Sequence, residues 1–255
     1  MHLTIPMLAD IVRYCDELLR IREIADYPNA VNGLQLANGG AVTKIAAAVD
    51  ACGYTIDAAA DRGCDLLIVH HGLFWQGLQP MTGWHYRRFR RALEAGLAVY
   101  SAHLPLDAHP KIGNSALLCA ALDLRNATPF FEIKGTGIGL RVRCEIGRSE
   151  LAARLERVTG SQPRICPGGP SIAREIGVIT GGAGGELVQM AAAGVDTFVT
   201  GEGPHWTYSA AEDLGVNILY GGHYATETFG VKALAAEISG RFQLPWQFID
   251  HPSGL

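Results

Sequence analysis

The sequence predicts an α/β fold with largely parallel strands, and two observations carry that prediction. Short apolar, strand-like runs alternate with amphipathic helical stretches, the pattern of successive βαβ units. The runs lie at 44–49, 66–70, 97–102, 138–144, 175–180, 197–200 and 216–220. The chain also repeats itself. Lys44 to His71 reads as strand, Asp50, Ala-rich helix, Gly63, Asp65 and strand, while Glu175 to Glu202 reads as strand, glycines, Ala-rich helix, Gly194, Asp196 and strand. A constant offset of 131 residues relates Lys44 to Glu175 and Asp65 to Asp196, and sets Gly201 against His70 and Glu202 against His71. After a shorter second connection the offset becomes 120, placing Val99-Tyr100 on Leu219-Tyr220, His103 on His223 and Asp107 on Glu227.

Taken in order, residues 1–129 form a first α/β half that opens on a helix. Asp10, Arg13, Asp16 and Glu17 interrupt its apolar residues, so it does not read as a secretory leader. Residues 130–170 form a connecting segment. Within it Thr136 to Glu145 alternates like a strand, and Glu150 to Thr159 is a short helix with Leu151, Leu155 and Val158 on one side. Pro163, Pro167, Gly168, Gly169 and Pro170 make a turn-rich stretch before the second half, 171–255. Gly181-Gly182-Ala183-Gly184-Gly185 follows a strand and opens a helix, the setting of a dinucleotide fingerprint. The third glycine of that fingerprint would fall at Leu187, so the loop reads as a tight strand-to-helix turn.

At 255 residues the chain is long enough for a sizeable core. A net charge of −4 gives no footprint for nucleic acid. Arg87, Arg88, Arg90 and Arg91 are a local exception that reads as the solvated face of a helix. No run of about 18 apolar residues is present to span a membrane. Six cysteines without a Cys-x-x-Cys pair read as reduced, mostly buried thiols of a cytoplasmic protein.

The chemistry gathers at predicted strand ends. Leu66-Leu67-Ile68-Val69 closes on His70 and His71, followed by Gly72. In open α/β sheets ligands collect beyond the carboxyl ends of such strands. Neighbouring side chains of a strand point to opposite faces, so regular geometry does not let both rings grip one ion. Either the strand breaks at Gly72 and re-aims one ring, or the two rings serve two ions. His223 and Glu227 are four residues apart and share a helical face. His103 and Asp107 do the same if Pro105 starts a turn rather than extending the strand. Imidazole with carboxylate suits zinc, iron or manganese, and carboxylates can bridge two ions. A lone strand-end histidine is more often a hydrogen-bonded structural residue, and His-x-x-x-Glu alone is weak; three such elements together are not. His2, His85, His109 and His251 have no such context and read as surface residues, with His205 an intermediate case.

Asn32-Gly33-Leu34-Gln35, Val69-His70-His71-Gly72-Leu73-Phe74-Trp75, Ser101-Ala102-His103-Leu104-Pro105-Leu106-Asp107, Thr200-Gly201-Glu202 and Gly222-His223-Tyr224-Ala225-Thr226-Glu227 occur in this order. With these motifs the chain resembles the NGG-interacting-factor-three-like family of dinuclear-metal hexameric proteins, also called GTP cyclohydrolase I type 2 homologues. The resemblance covers nearly the whole chain. It implies two interlinked α/β lobes, a toroidal homohexamer, and two divalent metal ions per subunit held by His70, His71, Asp107, His223 and Glu227. It leaves His103 behind the ligands, orienting one of them or binding an anion, with Glu202 a comparable candidate for proton transfer.

Two functions follow from this reading. One is a metal-dependent hydrolase acting on a small polar molecule such as a cyclic amide, a nucleotide-derived ring or a phosphoester. The other is a metal-binding chaperone or adaptor without turnover. Single-stranded nucleic-acid binding is a third, disfavoured by the acidic charge.

Overall fold

A computed structural model of the protein describes residues 5–255, leaving His2 outside the described residues. The chain divides into two compact units that interleave in sequence. The first takes the chain as far as His109 and again Gly230–His251; the second takes Pro110–Phe229 and Pro252–Leu255.

The first unit contains α1 (Leu8–Leu19), β1 (Gly33–Leu36), β2 (Ile45–Asp50), α2 (Gly53–Asp61), β3 (Leu66–His71), α3 (Gly83–Glu94), β4 (Ala98–Ser101) and the single turn α4 (Leu104–Asp107). The second contains α5 (Asn114–Ala121), β5 (Thr128–Ile133), β6 (Thr136–Gly147), α6 (Arg148–Thr159), β7 (Arg164–Pro167), β8 (Ile172–Val178), α7 (Leu187–Ala192), β9 (Thr197–Thr200), α8 (Thr207–Leu214) and β10 (Asn217–Tyr220). The segment 130–170 is thus part of the second unit's sheet and helices. Helix α9 (His223–Phe242) begins in the second unit, and its later turns belong with β11 (Trp246–Phe248) to the first.

The first unit's sheet has the order β1-β4-β3-β2-β11, parallel except for the antiparallel edge β1. Its inner strands are apolar because both faces are covered: every residue of Ile45–Val49 and Leu66–His70 is buried. Alternate residues Ala46, Ala48, Leu67, Val69 and Val99 pack on Ile56, Ala59, Phe89 and Ala92 from α2 and α3. Each large side chain so buried contributes about 1.5–3 kcal/mol. Helix α1 forms because Leu8, Ile11, Cys15 and Leu19 recur at helical spacing and are buried, and it stops where Arg20 turns left-handed at φ 54°.

The second sheet has the order β5-β6-β8-β9-β10-β7, with β8, β9 and β10 parallel and the outer pairings antiparallel. Val142, Ile176, Val178, Val199 and Leu219 form its core with Leu118, Leu151 and Leu155.

Hydrogen bonds confirm the internal repeat. Ile45 pairs with Leu66 and Ile176 with Thr197, each partner displaced by 131 residues. Asp65 accepts the backbone N–H groups of Thr43 and Lys44, as Asp196 accepts those of Arg174 and Glu175. Each aspartate's carbonyl then takes the first N–H of the third strand, from Ala98 at 2.8 Å and from Asn217 at 2.9 Å. That bond corrects the expected offset of 120 along this strand. Leu66 pairs with Ala98 and Thr197 with Asn217, an offset of 119, so Val99 matches Ile218. The extra residue enters afterwards at Gly221-Gly222, with Gly222 at φ 92°, and brings His223 to the offset of 120 from His103.

His85 is a second correction. It is buried rather than at the surface, because it shares the inner face of α3 with Phe89 and Ala92. Among the described residues no helix is long and apolar enough to cross a membrane, and all six cysteines are free.

Candidate metal centre

Strand β3 stays in register through His71, which pairs with Asp50 at the end of β2. No break at Gly72 is needed to re-aim one ring. The two rings converge beyond the strand end, with centroids 4.9 Å apart. Pro105 does start a turn: the N–H groups of Leu106 and Asp107 donate to the His103 carbonyl at 2.9 and 3.1 Å. The turn brings Asp107 Oδ2 to 3.5 Å from His70 Nε2. It also sets the His103 ring 4.8 Å from His70 and 5.7 Å from His71. One ring nitrogen from each of the three histidines lies within 4.8 Å of the others.

All three rings are held by one device. His70 Nδ1 donates to the Ala102 carbonyl at 2.9 Å, His71 Nδ1 to Asp50 Oδ1 at 2.9 Å, and His103 Nδ1 to Asp26 Oδ1 at 2.9 Å. Because each acceptor keeps the proton on Nδ1, Nε2 carries the lone pair that binds a metal. Asp26 is itself tied down by Asn32 Nδ2 at 2.7 Å and the Tyr27 and Leu104 N–H groups at 2.6 and 2.9 Å. Burial pushes the Asp26 carboxyl upward, but the His103, Asn32 and Tyr27 donors more than offset it and hold the pKa below the usual carboxylate range. Trp75 leans over the cluster, its ring 4.9 Å from His71 and 4.6 Å from His103, and remains 37% exposed.

The second unit builds a smaller group. Helix α9 starts at His223, and its first turn sets His223 Nε2 3.1 Å from Glu227 Oε2. His223 Nδ1 meets Glu202 Oε1 at 2.9 Å. Burial works against the charged imidazole, but Glu227 and then Glu202 outweigh it and raise His223 to about 9. Gly181 packs directly under this pair. A Cβ there would overlap Glu227 Oε1 and lie 3.5 Å from His223 Nε2. The glycine loop is therefore a close-packed floor, and Gly184 likewise abuts Gly203 and Tyr220.

A model of the Duf34/NIF3 (NGG1p interacting factor 3) family matches residues 6–253. The chain belongs to this family. A Deinococcus radiodurans relative named GTP cyclohydrolase 1 type 2 homolog is 43% identical over 96% of this chain and 94% of its own length. A Halobacterium salinarum relative of the same name is 40% identical over 97% and 99%. Among solved structures, TTHA1606 from Thermus thermophilus has a TM-score of 0.90 at 40% identity, covering 97% of this chain and 99% of that one. The protein ybgI, of unknown function, has a TM-score of 0.89 at 33% identity, covering 98% and 100%.

The donors of this NIF3 protein fit a divalent cation. The first unit gathers three anchored imidazoles and the Asp107 carboxylate, a set that suits zinc, iron or manganese. In the second unit a cation between His223 Nε2 and Glu227 would replace a proton. The motifs quoted above contain the donors and, among their supports, Asn32, Gln35, Ala102 and Glu202, but neither Asp26 nor Asp50. Asp50 had a signal, an acidic residue closing an apolar run level with His71. Asp26 had none, lying in an irregular segment far from any strand end. Asn32 and Gln35 are explained by the fold: Asn32 Oδ1 accepts from the His103 N–H at 2.7 Å, and Gln35 Oε1 from the Leu73 N–H at 2.6 Å.

Proposed function

We propose that this NIF3 protein is a dinuclear metal-dependent hydrolase acting on a small polar or nucleotide-like substrate. The ligands are His70, His71, Asp107, His223 and Glu227, and the ions are zinc, iron or manganese. The observation that carries the reading is that four histidines, His70, His71, His103 and His223, each have Nδ1 facing an oxygen acceptor. Metal-binding histidines almost always show this anchoring, which fixes the tautomer and aims the other ring nitrogen at the ion. Held by these residues, two divalent ions would supply Lewis-acid polarisation of a substrate oxygen and a water of near-neutral pKa.

The chain's own residues do the rest. Five ligands for two ions leave positions for a cyclic amide, a nucleotide-derived ring or a phosphoester. His103 presents Nε2 to accept a proton and return it to a leaving group, and the ionised Asp26 stabilises the imidazolium formed in between. Glu202 orients His223 and, being 44% exposed, exchanges a proton with solvent.

As part of the same proposal, the protein assembles as a homohexamer and works in the cytoplasm. The family resemblance supports the assembly, and six unpaired cysteines support a reducing compartment. The test is metal retention and turnover measured together, on a panel of cyclic amides, purine nucleotides and phosphoesters. Tight retention, with turnover lost in His70→Ala, supports the hydrolase. Rapid metal exchange with no turnover on any class overturns it in favour of a metal carrier.

A further inference from the structure

We propose that Arg88 is a positioning residue of the first unit's metal cluster, acting by fixing the strand ends that carry Asp50 and His71. The inference rests on the metal reading above.

Helix α3 carries four arginines that read as a solvated face, and the structure divides them. Arg87 and Arg90 are exposed, Arg90 pairing with Glu94, while Arg91 pairs with Asp57 and Asp61. Arg88 turns inward. Its Nη1 donates to the Ala51 carbonyl at 3.0 Å and its Nη2 to the Leu73 carbonyl at 2.7 Å, with His85 Nδ1 3.2 Å from Nη2. The rings of Trp84 and Phe89 flank the guanidinium at 5.2 and 5.8 Å and restrict it.

The two carbonyls bracket the cluster. Ala51 follows Asp50, whose carboxylate accepts from His71 Nδ1, and the Ala51 N–H donates to the His71 carbonyl at 2.8 Å. Leu73 lies two residues beyond His71, and its N–H is taken by Gln35 Oε1. Gln35 Nε2 is anchored in turn on the carbonyls of Ala30 and Val31, and a Cβ at Gly72 would overlap its amide. Leu73 is thus held from its N–H by Gln35 and from its carbonyl by Arg88. One planar fork ties the ends of β2 and β3 together and sets the separation of Asp50 from His71. A lysine offers its donors from one nitrogen on a flexible stem and lacks the rigid planar fork that fixes both carbonyls at once.

Losing a group that orients a ligand typically costs 10- to 100-fold in metal affinity. Arg88 acts one step further back, through the backbone, so the effect expected is roughly tenfold. The experiment compares the full-length chain with Arg88→Met, Arg88→Lys and, as a control on the same helix, Arg90→Met. The probe is cobalt(II), with its dissociation constant, its visible d–d band and the metal-free melting temperature as readouts. The expected result is roughly tenfold weaker cobalt binding and a shifted band in Arg88→Met, an intermediate Arg88→Lys, and a wild-type Arg90→Met. A folded Arg88→Met with wild-type affinity and band overturns the inference, whatever its melting temperature. If Arg88→Met does not fold, Arg88→Lys decides by the same criterion. A wild-type chain that takes up no cobalt overturns the metal reading itself and this inference with it, whereas uptake that Arg88 does not influence overturns the inference alone.

Discussion

Replacing Gly181 by alanine adds one methyl group beneath the His223–Glu227 pair. The new Cβ would overlap Glu227 Oε1, with the carboxyl carbon at 3.1 Å and His223 Nε2 at 3.5 Å. Real Cβ atoms do not approach within 3.0 Å, so something must move. The backbone of Gly181 is poorly placed to yield. Its N–H donates to Thr226 Oγ1 at 3.0 Å, and its carbonyl accepts from Gly201 and Glu202, both at 2.9 Å. Glu227 Oε1 must therefore retreat by roughly 1 Å, drawing the carboxylate out of the position it holds beside His223 Nε2. The left-handed backbone at φ 69° adds about 1–2 kcal/mol to the cost for any residue with a Cβ. Zinc affinity measured by competition with a chromophoric chelator should fall about 10- to 100-fold in Gly181→Ala, with a modest loss of metal-free stability. Gly185→Ala is the matched control, since a Cβ there meets nothing within 4 Å. Zinc affinity in Gly181→Ala within about threefold of wild type would refute the assignment of Glu227 and His223 to one metal-binding group.

Three further outcomes follow from the same geometry. Asp26→Ala removes the acceptor of His103 Nδ1, Asn32 and two backbone N–H groups, and should cost about 3–5 kcal/mol in chemical denaturation, against a smaller loss in Asp26→Asn. The raised pKa of His223 stabilises the metal-free fold; this contribution is fully present below pH 6.5 and is lost as pH rises through about 9, and His223→Gln should flatten the stability profile across that window. Asp65→Ala and Asp196→Ala remove equivalent caps in the two units, and each should destabilise its unit by about 1–3 kcal/mol; a negligible effect at one of them would contradict the equivalence of the repeats.

The sequence reading reached the inner strands and missed the outer ones, for one physical reason. The seven apolar runs correspond to β2, β3, β4, β6, β8, β9 and β10, which lie inside the two sheets. The four strands without such a run, β1, β5, β7 and β11, are the four sheet edges. An edge strand is paired on one side and half covered, so segments such as Arg164–Pro167 and Trp246–Phe248 need no continuous apolar pattern. The donors were legible because His70 and His71 close β3, His103 and His223 follow β4 and β10 within three residues, and Asp107 and Glu227 stand four residues beyond those histidines. Supports outside the motifs were not, because Asp26 and Arg88 reach the cluster only through tertiary folding. Arg88 and His85 show the limit most plainly. Both look like surface residues of a polar helix, yet His85 is buried, and it faces the Arg88 guanidinium that bonds to two strand-end carbonyls.

The proposed function stands on His70, His71, Asp107, His223 and Glu227 as the ligands of divalent metal. The most direct measurement is the metal content of the chain purified without added metal, for wild type, His70→Ala and His223→Ala. The expected result is two divalent ions per wild-type chain and a clear loss in each variant, with the fold retained. A wild-type chain that stays folded while holding no more metal than either variant would contradict it.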